Sequence, residues 1–311
     1  MAELIHCITN PISMMQCANS VLALGAKPIM AEHPLEVGEI TSTASALVLN
    51  VGNISDSKME AMRISFEVAM EKGIPVVIDA VGVACSKLRR DFVIDLLRLH
   101  VETEEKTFGK LLDGKCRYLS ESIKNKAFYE KQRVRPQVRL LLLKGNYSEI
   151  KALAESSYKG KGVDADVSLD VREIDDIALT LSKRYKSVIL ATGAKDIIVD
   201  RERTFFISNG NPMMGQITGT GCMLGAICAT FLSKVPCVGS VIKACGFFGI
   251  AGEIAYEKLS GKEEIAGEIA YESLPEKEGK VGSGSFLVEL LDEISLMDEE
   301  KTVAMIKVET A

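Results

Sequence analysis

Short apolar, β-branched runs alternate with helical patterns along nearly the whole chain, and this alternation restricts the fold more than any other feature. The runs lie at Leu4 to Ile8, Ala46 to Val51, Pro75 to Ile78, Val138 to Leu143 and Ser187 to Ala191, followed by the adjacent pair Ile197 to Val199 and Thr204 to Ile207. Helical patterns fall at Ser13 to Leu24, Ser57 to Lys72, Ser86 to Arg98, Glu149 to Ala154, Arg172 to Lys183, Cys222 to Leu232, Ser240 to Tyr256 and Ser285 to Ile294. Strands that alternate with helices form a mostly parallel central sheet covered by helices on both faces, an α/β architecture. The punctuation agrees: Ser57 with Glu60 reads as a capping box, and Gly73 followed by Pro75 stops that helix before the next strand. With 311 residues and 47% hydrophobic composition, the chain can bury one large core, so 1–311 is expected to be a single domain.

Two stretches break the rhythm. Leu99 to Pro136 is polar and lysine-rich where a helix-to-strand connection usually takes a few residues, so it reads as an insertion outside the catalytic unit. The octapeptide IAGEIAYE occurs at Ile250 to Glu257 and again at Ile265 to Glu272, a local duplication around 250–280 that is too short for a solenoid.

A formal net charge of -6 argues against a broad nucleic-acid footprint and against an anionic membrane surface. The eight cysteines are scattered, with no CxxC pair and no zinc-type spacing, and read as free thiols in a reducing cytoplasm. No basic-then-apolar leader is visible, and the most membrane-like stretch, Val235 to Tyr256, is broken by Lys243 and several glycines, which suits a buried helix better than a bilayer span.

In an open parallel sheet, ligands collect at the carboxyl ends of the strands. That rule directs attention to Asn10, Asn50 to Asn53, Asp79, Lys144 to Glu149 and Thr192. Asp79 ends the run IPVVID, and Glu149 ends LLLLKGNYSE on the first turn of a helix. Two hard carboxylates on one rim suit Mg²⁺, although Asp79 would equally cap its turn and Glu149 equally serve the helix dipole. Lys144 and Thr192 add a cation and a hydroxyl fit for phosphate, or simply a solvated rim. Further on, Gly219 and Gly221 bracket Thr220 directly before a helical run that begins at Cys222. Such a corner leaves free N–H groups that bind anions, and the helix end is expected to lower the thiol pKa. A glycine turn that merely caps a core helix fits the same residues.

HCITNPIS at His6 to Ser13, CANSVLALGAKPIM at Cys17 to Met30, VIDAVG, KGNYSEI, ATG at Ala191 to Gly193 and ITGTGCMLGA at Ile217 to Ala226 occur in one order. In that order the chain resembles the hydroxyethylthiazole kinase family over most of its length. The resemblance implies a ribokinase-like fold and a homotrimer with sites at the subunit boundaries. It also implies transfer of the ATP γ-phosphate to the primary alcohol of 5-(2-hydroxyethyl)-4-methylthiazole in thiamine salvage. By motif position it puts Asn10, Met30 and Gly219 at the thiazole, Lys144 and Thr192 at ATP, Asp79 and Glu149 at magnesium, and Cys222 at the place of a catalytic base.

Three departures accompany the resemblance. Lys144 stands where an arginine is usual, and a lysine cannot reproduce the bidentate grip of guanidinium on phosphate. Ala80 replaces a proline in the turn after Asp79, and Val83 to Ser86 stand where the family tends to have a glycine and a threonine. A nucleotide-dependent dehydratase of the same superfamily, or a catalytically weak ligand-binding relative, is the alternative reading.

Overall fold

The computed structural model describes residues 2–113, 140–160, 169–260 and 281–311, with backbone alone at 107–113. Among them β1 (Leu4–Ile8), β2 (Lys27–Ile29), β3 (Ala46–Asn50), β4 (Val76–Asp79), β5 (Leu141–Asn146) and β6 (Val188–Thr192) pair in parallel in the order β2-β1-β3-β4-β5-β6. The sheet continues antiparallel through β7 (Asp196–Asp200), β8 (Arg203–Ile207) and β9 (Val308–Thr310). Period-two alternation sorts the strand residues between two cores. On one face Ile5, Ala46, Val48, Val77 and Leu142 pack beneath α1 (Met14–Ala23), α7 (Thr220–Lys234), α8 (Val238–Ser260) and α9 (Ser283–Leu296). On the other, Leu47, Leu49, Val76, Ile78 and Leu141 pack beneath α3 (Asp56–Lys72), α4 (Lys87–Asp113), α5 (Tyr147–Ala154) and α6 (Val171–Tyr185). The fold is the expected α/β class, with a mostly parallel sheet between two helical layers.

The small elements not expected from the pattern include β2, β9 and α2 (Val37–Thr43). Both strands are three residues long and lie at the sheet's edges, where one flank needs no partner and no apolar alternation is imposed. The start of α3 is also corrected. Its cap is Ser55, whose hydroxyl accepts from the Lys58 N–H, so Ser57 lies inside the first turn and forms no capping box with Glu60. Gly73 ends that helix in the left-handed conformation, φ 69°, as expected.

α4 runs on past Arg98 to Asp113. Phe92, Val93, Leu96 and Leu97 are buried at helical spacing, and Leu99, His100 and Val101 carry that packed face into the stretch assigned to the insertion with no proline to interrupt it. The part of that stretch from 114 lies outside the described residues. The first copy of the duplicated octapeptide lies in α8, and the second lies outside the described residues. α8 is the one described helix long and apolar enough to cross a membrane, and Val241, Ala244, Phe247 and Ala251 are buried against its neighbours.

Ser55→Ala should cost about 1 kcal/mol in denaturant unfolding, the usual loss for an N-cap hydroxyl, and Ser57→Ala less than about 0.5 kcal/mol. Equal losses would return the cap to Ser57.

Candidate active site

Gly219 is the N-cap of α7 with φ 97°, a left-handed geometry that a β-carbon disfavours. Thr220 braces the approach to it, its hydroxyl donating to the carbonyls of Met214 and Ile217. A β-carbon on Gly219 would also stand 3.1 Å from the Ser13 Cβ, so the corner lies directly against the start of α1. The helix that follows is buried almost all round, and its first turn is therefore held against the strand ends.

Four strands deliver side chains to the same point. Asn10 follows β1, Asn50 ends β3, Asp79 ends β4 and Lys144 lies near the end of β5. With Cys222 of α7 they are all buried, none more than 9% exposed. Lys144 Nζ lies 2.9 Å from Asp79 Oδ1 and donates to it, while Asn50 Nδ2 donates to Asp79 Oδ2 at 2.7 Å. The Cys222 sulfur accepts from Asn50 Nδ2 at 3.2 Å and from Asn10 Nδ2 at 3.4 Å. The ammonium also sits at the start of α7, 3.7 Å from where a β-carbon on Gly221 would be.

These contacts correct two expectations. Asp79 is no exposed rim group, because the register of β4 between β3 and β5 places it under α7, at 1% exposure. The Cys222 thiol is pushed above its ordinary pKa, not below it: burial and the Asp79 carboxylate disfavour the thiolate, and Lys144 and the Asn10 amide only partly offset them. For Lys144 the balance is reversed. Burial alone would lower it, but the charge of Asp79 and the hydrogen bond to its carboxylate raise it, so the ammonium stays charged.

Glu149 is joined to this group through the backbone. Asn146 caps α5 by accepting from the Glu149 N–H, and Glu149 Oε2 accepts from the Asn146 N–H in return, a reciprocal capping box. Glu149 Oε1 accepts from Gly82 N–H at 2.7 Å, which ties the turn after β4 to the start of α5. Burial raises the carboxyl to about 7 against the pull of those two N–H groups. The helix-serving role left open in the sequence is therefore present, and it leaves lone pairs on both oxygens.

Among the described residues no hydrogen bond joins Met30 or Thr192 to the cluster. Met30 follows β2, half-buried against the core of the α1 face. Thr192 ends β6, with its hydroxyl 3.4 Å from the Gly145 carbonyl. Asn50, a strand-end residue with no role expected from the sequence, touches three members of the cluster through its amide. The available signal was its place at the carboxyl end of a central strand, which by itself does not distinguish it from Asn53.

A model of the hydroxyethylthiazole kinase family matches residues 1–103 and 130–300. The chain is 37% identical over 310 residues to a hydroxyethylthiazole kinase 2 of Clostridium botulinum, covering 98% of this chain and 94% of that one. It is 34% identical over 308 residues to a hydroxyethylthiazole kinase of Methanosarcina mazei, at the same coverage. The solved structure of a hydroxyethylthiazole kinase protein from Pyrococcus horikoshii superposes with a TM-score of 0.70 at 27% identity, covering 99% of this chain and 94% of that one. A ribokinase-like superfamily protein from Enterococcus faecalis, at TM-score 0.51 and 11% identity, covers 94% of this chain and 86% of that one and shares the fold alone.

Lys144→Met should destabilise the protein by about 3 kcal/mol or more in thermal or denaturant unfolding, because it leaves the Asp79 carboxylate buried without its cation. An unchanged unfolding midpoint would mean that the Lys144–Asp79 pair contributes nothing to stability.

Proposed function

The chain belongs to the hydroxyethylthiazole kinase family, and we propose that it transfers the γ-phosphate of ATP to the primary alcohol of 5-(2-hydroxyethyl)-4-methylthiazole, a step of thiamine salvage. The observation that carries the proposal is the convergence of Cys222, Asp79 and Lys144 on the glycine corner at the start of α7. Phosphoryl transfer needs positioning and neutralisation of charge more than covalent chemistry, and a helix start with a buried ammonium beside it supplies both.

In the reaction the alcohol oxygen forms a bond to the γ-phosphorus as the bond from that phosphorus to the bridging oxygen breaks. ADP leaves with the electron pair, and the alcohol proton passes to the Cys222 sulfur in its thiolate form. Asn10 and Gly219, which adjoin that sulfur or its helix start, and Met30 at the rim are the proposed thiazole contacts. Lys144 and Thr192 are the proposed ATP contacts. Asp79 ends β4 and Glu149 stands in the first turn of α5, just beyond β5; the Asp79 charge raises the Glu149 pKa, and Lys144, paired with Asp79, lowers it. That donor set suits Mg²⁺, which takes one or two carboxylates, keeps several waters and shares phosphate oxygens; among the described residues no group of three or more acidic, histidine or cysteine side chains forms a closed metal cage. Bound there, Mg²⁺ would neutralise charge on the transferring phosphoryl group.

The homotrimer is part of the same proposal. Met15 and Leu22 are 70% and 55% exposed on the outer side of α1, Ile12 is 64% exposed in the turn just before that helix, and Leu35 is 88% exposed between β2 and α2. Met15 and Leu22 are seven residues apart and so share one helix face, and α1 begins beside the Gly219 corner. A second copy seated on this apolar stripe would put a subunit boundary at the site. The free thiols at Cys7, Cys17, Cys85, Cys222, Cys228, Cys237 and Cys245 support a reducing, cytoplasmic setting.

A coupled assay for ADP should show turnover that requires the thiazole alcohol and is lost on chelation of Mg²⁺; no turnover by folded protein at saturating substrates overturns the kinase reading. Because the thiol is held above its ordinary pKa, the thiolate accumulates only as pH rises. The kcat should therefore climb with pH through neutrality, and Cys222→Ala should flatten that rise. The pair Met15→Glu and Leu22→Glu should lower the oligomer mass measured by light scattering and reduce activity in parallel. A mass unchanged from wild type would place the subunit contact elsewhere.

A further inference from the structure

We propose that Asn50 is a positioning residue for phosphoryl transfer, holding the Cys222 sulfur and the Asp79 carboxylate at a set separation through the two hydrogens of one amide. The proposal rests on the reading of Cys222 as the proton acceptor. Asn50 is 1% exposed at the end of β3, and every hydrogen-bonding site of its side chain is used. Nδ2 donates to Asp79 Oδ2 at 2.7 Å and to Cys222 Sγ at 3.2 Å. Oδ1 accepts from Asn10 Nδ2 at 3.0 Å and from the Gly52 N–H at 2.9 Å. The orientation of the amide follows from these partners: reversed, it would turn its carbonyl toward the carboxylate and its N–H groups toward two other donors.

The surroundings are shaped around this amide. A β-carbon on Gly52 would lie 2.9 Å from Asn50 Oδ1 and 3.1 Å from Asn10 Nδ2, so only glycine lets the turn after β3 close over the pair. Asn10 is fixed in turn by the Ser13 N–H, which donates to its Oδ1 at 3.1 Å. Across Asp79, Lys144 holds the other carboxylate oxygen. The result is a continuous line from Lys144 through Asp79 and Asn50 to Cys222, spanning the carboxyl ends of β5, β4 and β3 and the first turn of α7. A satisfied buried amide that merely stabilised the fold would be indifferent to which residue stands at 222. A positioning amide would not.

The test is a double-mutant cycle of Asn50→Ala and Cys222→Ala, reading kcat and KM for both substrates together with the rate of Cys222 alkylation by iodoacetamide in the free protein at one fixed pH. Alkylation is followed on the peptide that carries Cys222, because Cys85 and Cys237 are exposed and also react. Asn50→Ala is expected to lower kcat by roughly tenfold to a hundredfold with each KM moving less than about threefold, the signature of misplaced reacting groups. In the Cys222→Ala background the same change should lower kcat less than about threefold, and in the single variant the alkylation rate should change. Asn50→Ser is the second variant: its hydroxyl can still accept from Gly52 while the donor to sulfur is lost, and it should show the same pattern if the alanine variant fails to fold.

Equal losses of kcat in the two backgrounds, or a rise in KM without loss of kcat, overturn the proposal. Full activity of Cys222→Ala alone overturns the reading of Cys222 as base. The alkylation rate then decides the Asn50–Cys222 coupling separately, an unchanged rate overturning it and a changed one supporting it.

Discussion

A carboxylate buried at the end of a central strand dictates the arrangement around it. Asp79 is 1% exposed, and an unpaired charge at such depth would cost several kcal/mol. The neighbouring strands supply what it lacks, an ammonium from β5 and an amide from β3. Because the three strands are parallel and in register, residues that end adjacent strands are adjacent in space: Asn50 pairs with Asp79, and Asp79 with Lys144. The polar cluster is a direct consequence of that register, and a slip of one residue in any of the three strands would turn its contribution to the opposite face.

The helix above the cluster completes it. α7 is apolar on nearly every side because α1, α8 and the sheet all pack against it, so its N-terminal turn has little freedom to shift. Gly219 and Gly221 allow a sharp entry and a close approach to Lys144, and they place a row of first-turn N–H groups over buried charge of both signs. Anion binding at such a place rests on preorganisation: donors already fixed when the phosphoryl group arrives need no rearrangement during the reaction.

Magnitudes explain why the thiol moved against expectation. A helix end stabilises a charge by about 0.3–1 kcal/mol, reaching about 2 kcal/mol in favourable geometries. Full burial can shift an ionisable group by about 3–5 pKa units, and each unit is about 1.4 kcal/mol. Cys222 experiences both effects, together with a carboxylate nearby, and burial prevails. The helix-end effect could be read from the order Gly219, Thr220, Gly221, Cys222. The depth of the sulfur and its neighbour Asp79 could not, since 143 positions separate them in the chain (222 minus 79). The cap of α3 is a local case of the same kind: Ser55 and Ser57 both offer a hydroxyl, and only the backbone path decides which one accepts from the helix.

The chain's own order of residues determined the α/β class, the two-sided burial of the sheet, the strand-end location of Asn10, Asp79 and Lys144, the place of Glu149 in the first helical turn after β5, and the glycine corner before Cys222. These depend on periodicity and on the conformational limits of glycine and proline, which act within a few residues. The family was legible for the same reason, as an ordered series of local motifs. Only the tertiary structure decided that Asp79 is buried and paired with Lys144, that Asn50 joins the carboxylate to the sulfur, and that α4 continues to Asp113. Charge pairing, burial and amide orientation depend on groups brought together from distant parts of the chain, and a reading by local spacing has no access to the distances that set them.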